Sequence, residues 1–502
     1  MYCPGFFFRG YEVVIKDKVI MERNRLVCFL FLSLLFLGGV ACSSGGKEAE
    51  VEISDYPPIF PDYVDVTVPC NIAPLNFSLP DAKQISVVVS VEGKELARLR
   101  GKSCVRFPKG AWMAWLSAYR GMTLDVSVSA WNEAYPEGVR YQDFSIHLSN
   151  DSIDPWIAYR LIEPGYELWN RMGIYQRNLT SFEEKAIVTN RQNHDGCVNC
   201  HSFCDYSPEN LMFHARGMNG TTVLVRDGKP SRLDLAKMGP HQSGTYPMWH
   251  PSGRYILFSS NDTHQSFYHF GNMPVEVYDL SSDLMIYDVA HDRVLTDPRF
   301  SGNENMETFP AFSPDGEEVY FCTAKTKKMP MEYKSLKYAL CRVGFDVETG
   351  ELGERIDTLY NPSIKEGSAS FPRVSPDGKY LLYTESSCAT FPIWHKEADL
   401  KMIRLKDQVE VNTERINSDD TESYHAWSSN GRWIIFSSRR LDGRYTRLFI
   451  ASVDADGCFG KPFLLPQKDP SYNTLRMKSY NIPEFIRGEV KLDKEEITSL
   501  FK

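Results

Sequence analysis

The 502-residue sequence has none of the motifs that mark common enzyme chemistry. It contains no G-x-S-x-G nucleophile elbow, no H-E-x-x-H zinc helix, no phosphate-binding glycine loop and no dinucleotide fingerprint, so hydrolase and nucleotide-binding readings have no support. Positive charge is in deficit: 56 Lys and Arg stand against 65 Asp and Glu, a net charge of −9 that argues against a nucleic-acid partner. Beyond Leu37 no apolar run approaches the length of a membrane span. Cysteines are scattered, nine of them after Cys42, an odd number that excludes complete pairing and does not suggest a disulfide scaffold in so long a chain.

Near the N-terminus, Met21-Glu-Arg-Asn-Arg precedes the apolar run Leu26 to Leu37, then Gly38-Gly39-Val40-Ala41-Cys42. A basic segment, a short apolar segment and small residues before a cut read as an export signal, with Met21 as the true start. The small residues running into Cys42 resemble the lipobox of bacterial lipoproteins, although Gly39 stands where that family prefers Leu. The resemblance implies that residues 1–42 are a signal peptide, that Cys42 is the acylated anchor, and that residues 43–54 are a flexible tether. Two acyl chains hold a protein stably on a membrane where one is marginal. Lys47 followed by acids loosely resembles the surface-export signal of Bacteroidetes lipoproteins. The expected location is therefore the bacterial cell envelope, anchored to the outer membrane on its periplasmic or cell-surface side.

Residues 197–201 read Cys-Val-Asn-Cys-His, the spacing through which a haem is covalently attached. Cys197 and Cys200 would each add a thiol across a haem vinyl group, and His201 would fall beneath the iron as its proximal ligand. The residue frequencies give roughly 0.006 chance matches to this motif in the whole chain. Export and covalent haem c support each other. Two other readings stay open: a tight disulfide or free thiols, and a zinc site completed by Cys204. For a second axial ligand the nearby candidates are His194, Met212, His214, Met218, His241, Met248 and His250, with His214 the best placed in sequence. Asp454-Ala-Asp-Gly457 lacks the further ligands of a calcium loop and reads as a hairpin turn. Cys322 and Cys341 flank a connection that a disulfide could bridge.

The second half of the chain repeats itself. Thr245-Tyr-Pro-Met-Trp-His-Pro-Ser-Gly, Thr308-Phe-Pro-Ala-Phe-Ser-Pro-Asp-Gly, Ser370-Phe-Pro-Arg-Val-Ser-Pro-Asp-Gly and Ser423-Tyr-His-Ala-Trp-Ser-Ser-Asn-Gly align, with turn glycines at 253, 316, 378 and 431. Intervals of 63, 62 and 53 residues mean a repeat architecture. In each unit an aromatic-Pro strand runs into a turn where Pro fixes φ and Gly accepts a positive one. An apolar strand such as Tyr255-Ile-Leu-Phe and two further strands follow, which makes four strands, one propeller blade. A fainter unit begins at Leu211. These repeats resemble the TolB-type β-propeller family, through Phe312-Ser-Pro-Asp-Gly and Val374-Ser-Pro-Asp-Gly-Lys.

The fold expected is all-β: a small β-sandwich over 55–150, from alternating segments such as Gln84-Ile-Ser-Val-Val-Val-Ser-Val, then a five- or six-bladed TolB-like propeller over 210–465. Residues 151–209 read as a connector holding the haem-like motif, and 466–502, with the apolar Tyr480-Asn-Ile-Pro-Glu-Phe that a disordered tail would not need, as a segment closing the ring; a sixth blade could be assembled from residues 155–195 and this tail, with strands from both ends. As a whole the chain is similar to Bacteroidetes lipoproteins that join a small β-domain, a Cys-x-x-Cys-His segment and a TolB-type propeller. That resemblance implies no established activity. Three expectations follow: an anchored haem protein for electron transfer or redox and ligand sensing, with an unknown protein or redox partner; a non-haem propeller that binds or scaffolds a protein or glycan; and, by fold analogy alone, a propeller enzyme acting on glycans or peptides.

Overall fold

The computed structural model describes residues 48–163, 171–217, 219–235, 244–268, 275–302, 304–389 and 391–502. The leader, Cys42, Met218 and His241 lie outside the described residues. Glu50–Lys502 is one compact unit.

The N-terminal β-domain is built on one seven-stranded sheet. Its central strands, Gln84–Val91 and Thr123–Trp131, alternate strictly: Ile85, Val87 and Val89 face inward opposite Ala130, Val128 and Val126. Alternation of this kind buries one face and wets the other. The covering layer is a two-stranded ribbon (Phe77–Ser78 with Cys104–Val105) and one helix, Lys109–Ala118. Trp112, Trp115 and Leu116, spaced i, i+3, i+4, turn one stripe of that helix inward. Phe107 packs at 5.2 Å from Trp112, and the Trp112 indole donates to Ile72 O at 2.9 Å.

Six four-stranded sheets follow, and they are the blades of a propeller. Blades 1 to 5 begin at their innermost strands: Val198–Phe203, Thr245–Trp249, Asn305–Phe312, Ser368–Val374 and Glu422–Trp427. The expected turns, Pro-Asp-Gly in blades 3 and 4, Pro-Ser-Gly in blade 2 and Ser-Asn-Gly in blade 5, join first and second strands, with Gly253, Gly316, Gly378 and Gly431 all at φ of 67–79°. Blade 6 takes its three outer strands from Trp156–Ile162, Met172–Asn178 and Glu184–Thr189, and its innermost strand from the C-terminal Ser479–Ile486. The ring is thus closed by both ends of the propeller sequence, which pairs what would otherwise be open edges. Residues 151–209, expected as a connector, are these three outer strands plus the innermost strand of blade 1. The sixth blade expected from residues 155–195 and the C-terminal tail is the one observed, whereas the innermost strand of blade 1, Val198–Phe203, falls in the expected connector because its turn carries no Gly signature.

The β-domain and the propeller share one apolar core, in which Tyr63, Trp112 and Phe144 belong to the same cluster as Ile435, Leu448 and Phe485. The seam is also hydrogen-bonded: Tyr63 OH to Leu464 O at 3.3 Å, and Arg106 to Asp469 at 2.7 Å. Cys322 and Cys341 are both free thiols. Register explains it. Cys341 sits opposite Phe321, so the Cys322 side chain projects from the other face of the sheet and no bridge can form.

Candidate functional site

Each of the six innermost strands breaks its ladder at the same place. One residue takes a left-handed conformation: Cys200, Tyr246, Phe309, Phe371, Tyr424 and Ile482, with φ between 48 and 53°. The register shifts there in every blade, leaving two residues opposite one residue of the partner strand. This is a β-bulge, and bulges re-aim side chains. The residue that follows is Pro247, Pro310, Pro372 or Pro483 in four blades, and His201 or His425 in the other two.

The bulged side chains meet on the ring axis. Tyr246 lies 4.4 Å from Phe309, Phe309 is 4.1 Å from Phe371, and Phe371 is 4.9 Å from Tyr424, while Tyr246 reaches Phe371 across the axis at 6.0 Å. Cys200 and Ile482 complete this plug. Such ring pairs add about 0.5–1.5 kcal/mol each beyond their buried area. A cavity of about 30 Å³ remains beside it, lined among others by Cys200, His201, Tyr424, His425, Arg373 and Glu484.

Burial governs the charges here. His201 is 2% exposed and neither ring nitrogen has a hydrogen-bond partner, the backbone of Ile482 lying outside bonding geometry. Burial first, and the Arg160 charge second, push its pKa down to about 3, so the ring is neutral. His425 is likewise pushed down to about 3 by burial and by Arg373, although its Nε2 meets Leu382 O at 3.0 Å. Glu484 is pushed up to about 7 by burial, against the opposing pull of Arg373 and an N–H from Phe203 at 3.1 Å.

The Cys-x-x-Cys-His residues therefore sit in the blade-1 copy of a repeated bulge. Asn199-Cys-His-Ser-Phe is structurally the counterpart of Ser423-Tyr-His-Ala-Trp and Asn481-Ile-Pro-Glu-Phe. That alignment was available in the sequence, masked by the stronger haem-attachment pattern. As folded, these residues do not fit a haem. Cys200 and His201 are buried, Cys197 is half-buried, and ligand pockets need roughly 300–1,000 Å³ where about 30 Å³ exists. The candidate axial ligands are committed elsewhere. His214 lies opposite Asn199 and its Nδ1 meets Thr222 Oγ1 at 3.1 Å; His194 meets Phe501 O at 3.1 Å; His250 meets Gly316 O at 3.2 Å. Met212 is packed in the core between blades 1 and 2, and Met248 packs, partly buried, against the cores on either side of blade 3. For zinc the donors do not converge: among the described residues no three His, Cys, Asp or Glu could hold a metal ion. Cys204 instead points its thiol at His250 O, 3.8 Å away.

Fold and axis together define a closed six-bladed β-propeller with a plugged centre. Neither a family model nor a curated relative matches the chain. Among solved structures, TolB from Acinetobacter baumannii is similar at 11% identity over 76% of this chain and 85% of its own, with a TM-score of 0.42. The β-propeller domain of the Trilobed protease from Pyrococcus furiosus is similar at 11% identity over 61% and 81%, TM-score 0.34. An oligogalacturonate lyase from Vibrio parahaemolyticus is similar at 10% identity over 58% and 86%, TM-score 0.32. TolB-like propellers are thus among the structural neighbours. Likeness at this level concerns the fold, and no function passes from these proteins to this chain.

Proposed function

We propose that the chain is an exported β-propeller, held on the bacterial envelope by a lipid on Cys42, that binds or scaffolds a protein or glycan partner and carries no haem. One observation carries this reading: Cys200 and His201 occupy a bulge that all six blades share, around an axis already filled by Tyr246, Phe309, Phe371 and Tyr424. The motif then has a structural reason to exist, and the surfaces left for recognition are the two ends of the ring. Loops displayed on a rigid ring are a common place for binding, which supports the assignment without naming the ligand.

A second reading, covalent haem serving electron transfer or redox sensing, is favoured by a single observation, the two unpartnered nitrogens of His201. The experiment that separates them is intact mass with an absorption spectrum, on full-length protein made in a host equipped to attach haem c. The expected product has no Soret band after acid extraction and gains acyl chains at a mature N-terminus on Cys42. Added mass of one haem would overturn the first reading, and an unacylated product would remove the anchor.

A further inference from the structure

The four most exposed large apolar side chains of the described residues are Ile364 (75%), Leu475 (73%), Met331 (66%) and Met477 (57%). Topology puts all four at one end of the ring, the end where the innermost strands begin. Met331 lies between the second and third strands of blade 3, Ile364 between blades 3 and 4, and Leu475 and Met477 between blades 5 and 6. None of them is needed for the core. Base adjoins each in sequence, but Lys365 beside Ile364 is paired with Glu410, and Arg476 and Lys478 on either side of Met477 are paired with Glu184 and Glu163, so the charge that bears on a partner is that of Lys327, Lys328 and Lys334 around Met331.

The charge at blade 3 runs against that of the whole protein. Residues 325–337 carry five lysines and one glutamate, in a chain whose net charge is −9. Lys325, Lys327, Lys328 and Lys334 are exposed. Neighbouring loops form one patch with them. The Lys337 ammonium donates to Glu366 O, and Tyr338 N donates to Ser368 Oγ at 3.0 Å, which ties this loop to the one bearing Ile364. On its other side Tyr333 stacks on Tyr278 at 5.4 Å, in the long hairpin of blade 2 that also bears the exposed Phe267.

Apolar tips on separate loops, with lysines beside them, suit a particular kind of partner. A groove-binding peptide needs a concave apolar channel, and these side chains project from loops of different blades. A bilayer surface accepts projecting apolar groups at the acyl boundary, while the ammonium groups above them meet lipid phosphates. We infer that this end of the propeller docks on an anionic phospholipid surface. The contact is separate from any acylation of Cys42, and it would turn the ring axis toward the bilayer normal, leaving the opposite end, with its Pro-Asp-Gly turns, for a partner.

The test uses Glu50–Lys502, the compact unit that contains the described strands and lacks Cys42. It should sediment with vesicles of mixed phosphatidylglycerol and phosphatidylcholine at low salt, leave them at high salt, and ignore pure phosphatidylcholine. Lys327→Ala with Lys328→Ala should weaken the partition about fivefold per lysine, roughly 25-fold for the pair. Met331→Ser with Ile364→Ser should also weaken it. These positions are exposed, so unchanged thermal melts should accompany the loss. Equal binding to neutral vesicles, or variants that bind as well as the parent, would overturn the proposal. So would a chain that spares vesicles and is retained in a salt-sensitive way on immobilised polyglutamate, which would make the partner an acidic protein.

Discussion

His201→Pro is the substitution that most directly separates a structural motif from a haem-binding one. Proline inside a sheet removes a ladder donor and fixes φ, and the buried carbonyl left without its partner costs about 1–3 kcal/mol. At position 201 the backbone is already shaped for it: the preceding Cys200 has φ of 52°, as Tyr246, Phe309, Phe371 and Ile482 have before their own prolines. Proline at a compatible φ stabilises by about 0.4–1 kcal/mol through the unfolded chain. Removing two buried nitrogens that lack partners relieves a further penalty of about 1–3 kcal/mol. Against these stand the lost packing of the imidazole, which lies 6.1 Å from Phe203, and the void it leaves, a cost of about 2–3 kcal/mol. The terms nearly cancel, and the net change should stay within about 2 kcal/mol of zero in either direction. Met212→Pro, on the neighbouring strand and fully buried, is the contrast: it removes a ladder hydrogen bond and a packed side chain together and should cost about 3 kcal/mol or more. Urea unfolding followed by tryptophan fluorescence reads both. A loss at His201→Pro as large as at Met212→Pro would refute the equivalence of the six bulges.

Deleting residues from Ser479 onward should abolish cooperative folding. The deletion strips Tyr480, Phe485, Ile486, Val490, Ile497 and Phe501, all buried; at about 1.5–3 kcal/mol per side chain this is on the order of 10 kcal/mol, comparable to the whole stability of a domain. An unchanged Tm by near-UV circular dichroism would show the tail to be dispensable. Alkaline pH should loosen the contact between the blade-2 hairpin and the blade-4 loop. There the His395 Nε2 lies 3.0 Å from Glu276 and its Nδ1 lies 3.4 Å from Glu397. Burial alone would lower its pKa, and the hydrogen bonds to Glu276 and then Glu397 outweigh that and raise it to about 9. Because the folded value is raised, the stabilisation is complete below about pH 6.5 and is lost as pH rises through about 9. Tm measured against pH should fall over that window in the parent and not in His395→Gln, and equal slopes in both would exclude the pair as the cause.

Much of the architecture is legible in the amino-acid sequence. Repeats at intervals of 53 to 63 residues, with Gly253, Gly316, Gly378 and Gly431 in turns that demand a positive φ, specify blades because both signals are local. The apolar Tyr480-Asn-Ile-Pro-Glu-Phe, too hydrophobic for a free tail, pointed to closure of the ring from both ends. Tertiary structure decided the rest. Nothing in a Cys-x-x-Cys-His string encodes the left-handed backbone at Cys200, which arises because five other strands bulge at the same height and their side chains must share one axis. Cys322 and Cys341 are kept apart by strand register, a property of the pairing and not of either residue. The basic, apolar end of the ring exists only once loops around Met331, Ile364 and Leu475 are gathered from separate blades, so no window of sequence could display it. Composition reported the average charge of the chain, whereas folding sorts that charge in space, and recognition depends on the sorting.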